Sequence, residues 1–355
     1  MILPTTYLAA LLLLIVSMLC WGSWANTQKL AGKWRFELFY YDYSFGVLVC
    51  ALIAAFTLGQ WLPKELSFSD NFLIASKRQM AWGVGAGAVF NLANMLLVAA
   101  ISVAGMAVAF PIAIGLALVV GVIWNYLLNP QGSPILLFGG VVLVLVAIIV
   151  DAFAYSAYTD AKKQAAIKAA ALQPDPKAKR FAAASPGAAR GILLSIVGGV
   201  LMGMFYPLVE ISREGDGGVA PYGIAILFGS GVLLSSLFYI PFFLNFPVDG
   251  PPIEVAAYFK GTGRQHLLGF LGGIVWMAGA LCNFAAASTP PTVHVGPAVS
   301  YALGQGATLV SALWGLLVWR EFAGATFGVK MLLLGMIVLF LAGLGMISIA
   351  PLHGG

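Results

Sequence analysis

Apolar residues in this chain run in long unbroken stretches rather than alternating with polar ones. No Asp, Glu, Lys or Arg falls between Gln79 and Val150, nor between Gln265 and Trp319. Each stretch far exceeds the ~20 residues that one helix needs to cross a bilayer, so each holds several crossings. A closed β-barrel would show alternation within ~10-residue segments, which these runs lack. The pattern therefore predicts an all-α integral membrane protein with ten transmembrane helices. They are expected at Tyr7–Asn26, Asp42–Leu62, Met80–Val103, Met106–Leu128, Pro134–Tyr155, Gly191–Ile211, Tyr222–Phe243, His266–Ala287, Val293–Trp319 and Phe327–Ile349.

One hydrophilic stretch interrupts the pattern near mid-chain. Residues 159–190 are rich in Ala and Lys with a Pro174-Asp175-Pro176 break, and read as a linker between residues 1–158 and residues 191–355. Weak self-similarity joins the two parts. Ile15, Val16, Gly22 and Trp24 match Ile196, Val197, Gly203 and Phe205, while Asn94, Ala113 and Gly115 match Asn283, Ala302 and Gly304. With five helices in each half, an odd number, homologous halves must lie in opposite orientations. The expectation is a 5+5 inverted repeat, a common device of secondary transporters.

Composition agrees with this picture: 61% hydrophobic and 9% charged residues leave too little charged surface for a soluble globule. The net charge of +5 reports topology rather than nucleic-acid affinity. Of the 18 Lys and Arg residues, fourteen fall in odd-numbered connections, so the linker is expected in the cytoplasm and both termini outside a cytoplasmic (inner) membrane. Cys20, Cys50 and Cys282 all lie in apolar segments and suggest no disulfide framework. The apolar run from Tyr7 has no basic flank and passes signal-peptide length, which reads as a retained first helix.

Polar residues inside apolar helices are the natural places for a solute to exchange hydration for protein hydrogen bonds. Asn94 and Asn283 lead, because an amide offers both donors and an acceptor; the competing reading makes them packing glue between helices. Trp21 and Trp24 share a helix face with Asn26 beyond them, and their rings suit either a flat solute or an interfacial belt, with Trp21 the preferred contact. Phe90 and Tyr206 follow on the same logic. Along the glycine-rich ninth helix, His294, Ser300, Tyr301 and Gln305 add polar groups suited to gating. Glu210 is the charge best placed for coupling, with Lys29 opposite it in the repeat or Arg213 beside it as salt-bridge partner. Asp42 begins the expected second helix, where an acid either serves gating or meets the helix dipole. Glu321 beside Arg320 reads as a boundary ion pair. No catalytic constellation and no metal-ligand spacing is present, so neither an enzyme nor a cofactor is expected beyond a coupling proton.

Short pieces of the chain carry a family likeness. They are Trp21-Gly22-Ser23-Trp24, Tyr41-Asp42-Tyr43-Ser44, Ala55-Phe56-Thr57-Leu58-Gly59, Leu92-Ala93-Asn94 and Asn125-Tyr126 in the first half. Tyr258-Phe259-Lys260-Gly261, Cys282-Asn283 and Ala312-Leu313-Trp314-Gly315 follow in the second. Together they resemble the drug/metabolite transporter superfamily and, within it, a bacterial member of the ureide permeases. That resemblance implies proton-coupled import of allantoin-like ureides, uracil and related heterocycles. Glucose/ribose and rhamnose porters share the plan and a Trp-Gly-Ser, which keeps a monosaccharide in play, and a metabolite or drug exporter is a further alternative. Plant members are associated with a Walker-A-like linker segment that this linker lacks, so no nucleotide site is implied. The expected partners are a small-molecule substrate and membrane lipid, not nucleic acid, and a homodimer stays open.

Overall fold

The computed structural model describes residues 1–60, 67–171, 188–247, 250–289, 293 and 295–353. Among them, ten helices are long and apolar enough to cross a membrane. We label these α1 (Tyr7–Ala31), α2 (Phe36–Phe56), α3 (Lys77–Ala104), α4 (Met106–Leu128) and α5 (Pro134–Ala171). The second set is α6 (Ala188–Arg213), α7 (Pro221–Asn245), α8 (Gly263–Ala287), α9 (Pro297–Val318) and α10 (Phe327–Ile349).

Helix starts follow local chemistry. Ser76 caps α3 through its hydroxyl, Thr326 caps α10, and Thr262 with Gln265 forms a capping box on α8. At the α3–α4 connection Gly105 takes φ 80°, which a side chain rarely tolerates, so the chain reverses without a loop.

Three boundaries depart from expectation. α2 begins at Phe36, placing Asp42 in its second turn rather than at its start. Glu37, in the first turn, meets the helix dipole, while Asp42 is held by partners from elsewhere; a charge did not mark the boundary. α5 continues past Tyr155 to Ala171 because Ala and Lys are strong helix formers. Tyr158 anchors this extension by donating to the Ala323 carbonyl at 2.8 Å. Finally, α9 is broken at Gln305 and Gly306 and ends in a π turn over Trp314–Val318.

Two helix seams hold the centre, and both are reciprocal glycine contacts. Where α2 crosses α8, a Cβ on Gly46 would stand 2.1 Å from the Phe270 carbonyl oxygen, and one on Gly273 2.0 Å from that of Tyr43. Where α3 crosses α7, a Cβ added to Gly87 would run into the Phe228 carbonyl oxygen, and one added to Gly231 into that of Val84. Backbones touch at both seams, as small residues allow in lipid, where apolar burial drives association little. Asn91 ties the second seam further, donating to the Val232 carbonyl at 3.1 Å and the Ser235 hydroxyl at 2.7 Å.

The odd-numbered connections lie at what we call the linker end. At the opposite, terminal end the chain ends meet: Tyr7 donates to the Ser348 carbonyl, and the Ser133 amide to the Ala350 carbonyl.

Candidate functional site

Between the seams, side chains from α1, α3, α6, α7, α8 and α9 form a continuous aromatic spine. Trp21 stacks on Trp276 with centroids 5.6 Å apart and donates its indole N–H to the Trp276 carbonyl at 3.1 Å. Trp276 also contacts Phe90 at 4.4 Å and Phe228 at 5.4 Å. Phe205, Tyr206 and Tyr301 continue the stack, and Tyr301 donates to the Ala117 carbonyl at 3.0 Å. Such rings supply large apolar area with polar tips, suited to holding a flat polar molecule.

The two asparagines have different duties. Asn283 is fully buried; its carbonyl accepts from the Tyr206 hydroxyl at 2.5 Å, and its amide donates to Ser17 Oγ at 3.3 Å and the Ser300 carbonyl at 3.0 Å. Both its donor hydrogens are used within the protein. Asn94 spends one amide hydrogen on the Tyr40 hydroxyl at 3.0 Å. Tyr40 stacks on Tyr43 at 4.6 Å, and Trp24 packs against Tyr43 at 4.9 Å. The Tyr43 hydroxyl is buried without a hydrogen-bond partner among the described residues. Orphaned polar atoms of this kind are costly and demand an explanation. Asn94, Tyr40, Tyr43 and Trp24 thus form an aromatic pocket with hydrogen-bonding capacity to spare; Gln79, Asn91, Asn125 and Ser300 each also hold a buried oxygen without a partner among the described residues.

Charged groups sit at the two ends. At the terminal end, Glu210 is 2% exposed and receives Arg213 in a bidentate pair, with Nε to Oε2 at 2.9 Å and NH2 to Oε1 at 2.5 Å. Arg213 also donates to the Ala287 carbonyl at the end of α8. Asn129 reaches Glu210 at 3.4 Å and Gln131 reaches Asn129 at 3.1 Å, lining a polar cleft of about 270 Å³ with Thr289 and Val295. Glu214, at the rim, is raised above its ordinary value by partial burial and then by Glu210, with Arg213 opposing.

At the linker end, Lys29 pairs with Glu321 and lies over the Trp319 ring at 4.3 Å, while Trp319 donates to Asn26 Oδ1 at 2.6 Å. Asp42 accepts from the Tyr258 hydroxyl at 2.6 Å and faces His266 Nδ1 at 2.8 Å. Of the two partners expected for Glu210 the structure takes Arg213 and not Lys29, and one pairing is corrected: Glu321 bonds Lys29 rather than Arg320. The reason is location, since Lys29 and Glu210 end helices that terminate at opposite faces.

The structure brings Trp21, Phe90, Tyr206, Tyr301 and Asn283 into one spine, puts Trp24 and Asn94 beside Tyr43 and Tyr40, and leaves Asn26 at the linker end. Gln305 marks the break in α9, and His294 lies outside the described residues. Sequence reasoning gave no role to Tyr40, Tyr43, Trp276, Tyr258 or His266. Only the Tyr41-Asp42-Tyr43 run in the second turn of α2 hinted at Tyr43. No spacing rule links Asp42 to His266 across the whole linker.

Comparison with known proteins fits this architecture. Residues 39–188 match the model of the ureide permease family. Ureide permease 1 of Arabidopsis thaliana is 22% identical over 394 residues, covering 97% of each chain. Ureide permease 2 of the same plant is 22% identical over 403 residues, covering 98% of this chain and 97% of its own. A solved crystal structure superposes with a TM-score of 0.60 at 17% identity, over 96% of this chain and 98% of that one, which speaks to fold alone. The chain is a membrane transport protein, not an enzyme, similar over nearly its whole length to ureide permeases.

Proposed function

We propose that this protein imports a small, neutral, nitrogen-rich solute of the ureide or nucleobase kind by proton symport. In this reading two inverted halves alternate access to one central pathway in the cytoplasmic membrane, with the linker end inside. The observation that carries the reading is the Asn94–Tyr40–Tyr43–Trp24 cluster in a chain similar end to end to ureide permeases. A urea or imide edge presents N–H and C=O side by side. It matches the amide of Asn94 and the unpartnered Tyr43 hydroxyl, while Trp24 supplies a stacking face.

The seams support the inverted plan. Exchanging the halves carries the Gly46–Phe270 and Gly273–Tyr43 contacts onto Gly231–Val84 and Gly87–Phe228, a register that sets Asn94 against Ala280 rather than Asn283. Under the same exchange Phe90 and Trp276 change places, and they touch each other at 4.4 Å, as two residues beside the pseudo-two-fold axis in the membrane plane would.

Uptake of labelled allantoin or uracil into proteoliposomes tests the reading: accumulation should follow an inward proton gradient and be competed by unlabelled ureides. Failure of every ureide and nucleobase in a broad panel to be carried would sink it. Asn94→Ala should weaken solute binding by roughly 5- to 100-fold, the equivalent of ~1–3 kcal/mol for a buried partner left unpaired, read as a lost thermal shift.

A further inference from the structure

Three clusters of titratable side chains lie outside the central site: the Glu210–Arg213 clamp, the Lys29–Glu321 pair and the Asp42–His266–Tyr258 group. They differ in their capacity to take up a proton near neutral pH. Glu210 has both oxygens occupied by the guanidinium of Arg213, so neither is left open to an incoming proton. Lys29 and Glu321 have side chains 42% and 41% exposed, so their attraction is screened by solvent. Of the three, the last is the one with an imidazole, which keeps a second ring nitrogen after the first has met Asp42.

We propose that the Asp42–His266 pair is the binding site of the coupling proton and the latch of the linker end. This assignment rests on the symport reading above and names the residues that would perform it.

Geometry carries the case. Asp42 and His266 side chains are 13% and 27% exposed, so the pair is shielded from bulk water yet reachable from the linker end. Both Asp42 oxygens are engaged, one by Tyr258 O–H and the other by His266 Nδ1. That leaves His266 Nε2 for the incoming proton, on the side facing Gly261. The imidazole is wedged edge-on between Trp34 at 4.8 Å and Tyr258 at 4.7 Å, which fixes its orientation. Tyr258 is not a rival proton donor: burial first, and then its bond to Asp42, push its hydroxyl well above the usual phenol range.

The charged and titratable neighbours are few. Asp42 and Tyr41 face the cluster from α2, and Tyr258 from the turn of residues Val255–Lys260, whose Lys260 is exposed. Beside Trp34 in the chain are Lys33 and Arg35, the latter bonded to Glu37. On α8 itself, Arg264 is exposed. The proton balance is simple. Neutral His266 donates Nδ1–H to the Asp42 carboxylate, giving the pair a net charge of −1. One proton binds Nε2, the pair becomes an imidazolium and a carboxylate with no net charge, and only an N–H bond is made.

Two features turn this event into a latch. First, the pair joins α2 to α8, the helices that carry Tyr40, Tyr43 and Trp276. A Cβ on Gly269 would stand 2.8 Å from Asp42 Cβ, immediately next to the Gly273–Tyr43 seam. Neutralising a half-buried charge there favours the closed seam, and losing the proton disfavours it. Second, the corresponding place at the terminal end needs no such pair. There a Cβ on Gly83 would stand 3.0 Å from Leu227 Cβ, so the seam meets an apolar side chain where the linker end has Asp42. Packing alone therefore does not call for a carboxylate at Asp42.

The test compares wild-type protein with His266→Gln and Asp42→Asn in proteoliposomes loaded with a pH-sensitive dye. Allantoin or uracil is the solute, whichever the wild type carries. Expected are a fall of at least about tenfold in gradient-driven accumulation, loss of solute-induced proton entry, and solute-for-solute counterflow that persists. Asp42→Asn keeps the size of the side chain and acts as the second variant should His266→Gln fold poorly. Variants that keep the wild-type pH profile and proton entry overturn the assignment. Variants that lose counterflow and accumulation together show a structural role only, and also overturn it. If the wild type exchanges solute without moving protons, the symport reading itself fails, and this assignment with it.

Discussion

The two ends of the molecule close in different ways. At the terminal end a carboxylate, Glu210, is gripped by an arginine from its own helix and buried almost completely. At the linker end a carboxylate, Asp42, is shared between a histidine and a tyrosine that arrive from a distant part of the chain. The scaffold beneath is alike at both ends, with one glycine seam each. What differs is the proton chemistry of the partner: guanidinium makes a permanent pair and imidazole a conditional one.

Substitutions can break this comparison, beginning with the largest expected effect. Arg213→Ala leaves Glu210 buried without its counter-ion and should destabilise the protein by roughly 3–5 kcal/mol, seen in thermal unfolding in detergent. Replacing both members together, Glu210→Leu with Arg213→Met, should cost much less, because no charge is then stranded. An equal loss in the single and double variants would show that the clamp acts through packing instead.

Next come the seams. Gly273→Ala and Gly231→Ala each drive a methyl against a backbone carbonyl and should each cost about 1–3 kcal/mol. Similar losses at the two positions support equivalent seams; a loss at one alone separates them. Lys29→Ala removes an exposed pair and should change stability by only ~0–1 kcal/mol, less at high salt. The smallest effect belongs to Glu214. Its raised value in the folded state means the favourable, protonated form contributes fully below the ordinary carboxylate range and is lost as pH rises through the folded value. Glu214→Gln should therefore raise the unfolding temperature slightly at neutral pH and not at all in acid, as a pair of melting curves would record.

Much of the architecture was legible without coordinates. The ten spans follow from charge-free runs, because hydrocarbon admits no unsatisfied backbone and helices satisfy their own. Trp21, Phe90, Tyr206, Tyr301 and Asn283 were picked out as polar or aromatic residues in apolar helices, and they do converge on one spine. Boundaries were less legible where a charge stood inside a helix, as Asp42 does, or where Ala and Lys carried a helix beyond the apolar band, as in α5.

Partnership was the part hidden from a linear reading. Whether Glu210 bonds Lys29 or Arg213 depends on which face of the membrane each helix end reaches, and whether Asp42 caps a helix or meets His266 depends on how α2 lies across α8. Hydrophobic run length is a one-dimensional property, imposed by the thickness of the bilayer, and the chain carries it residue by residue. Hydrogen bonds and ion pairs act over about 3 Å, so they exist only once packing has brought distant segments to that range. Bilayer thickness thus dictated the spans, and helix packing chose the partners within them.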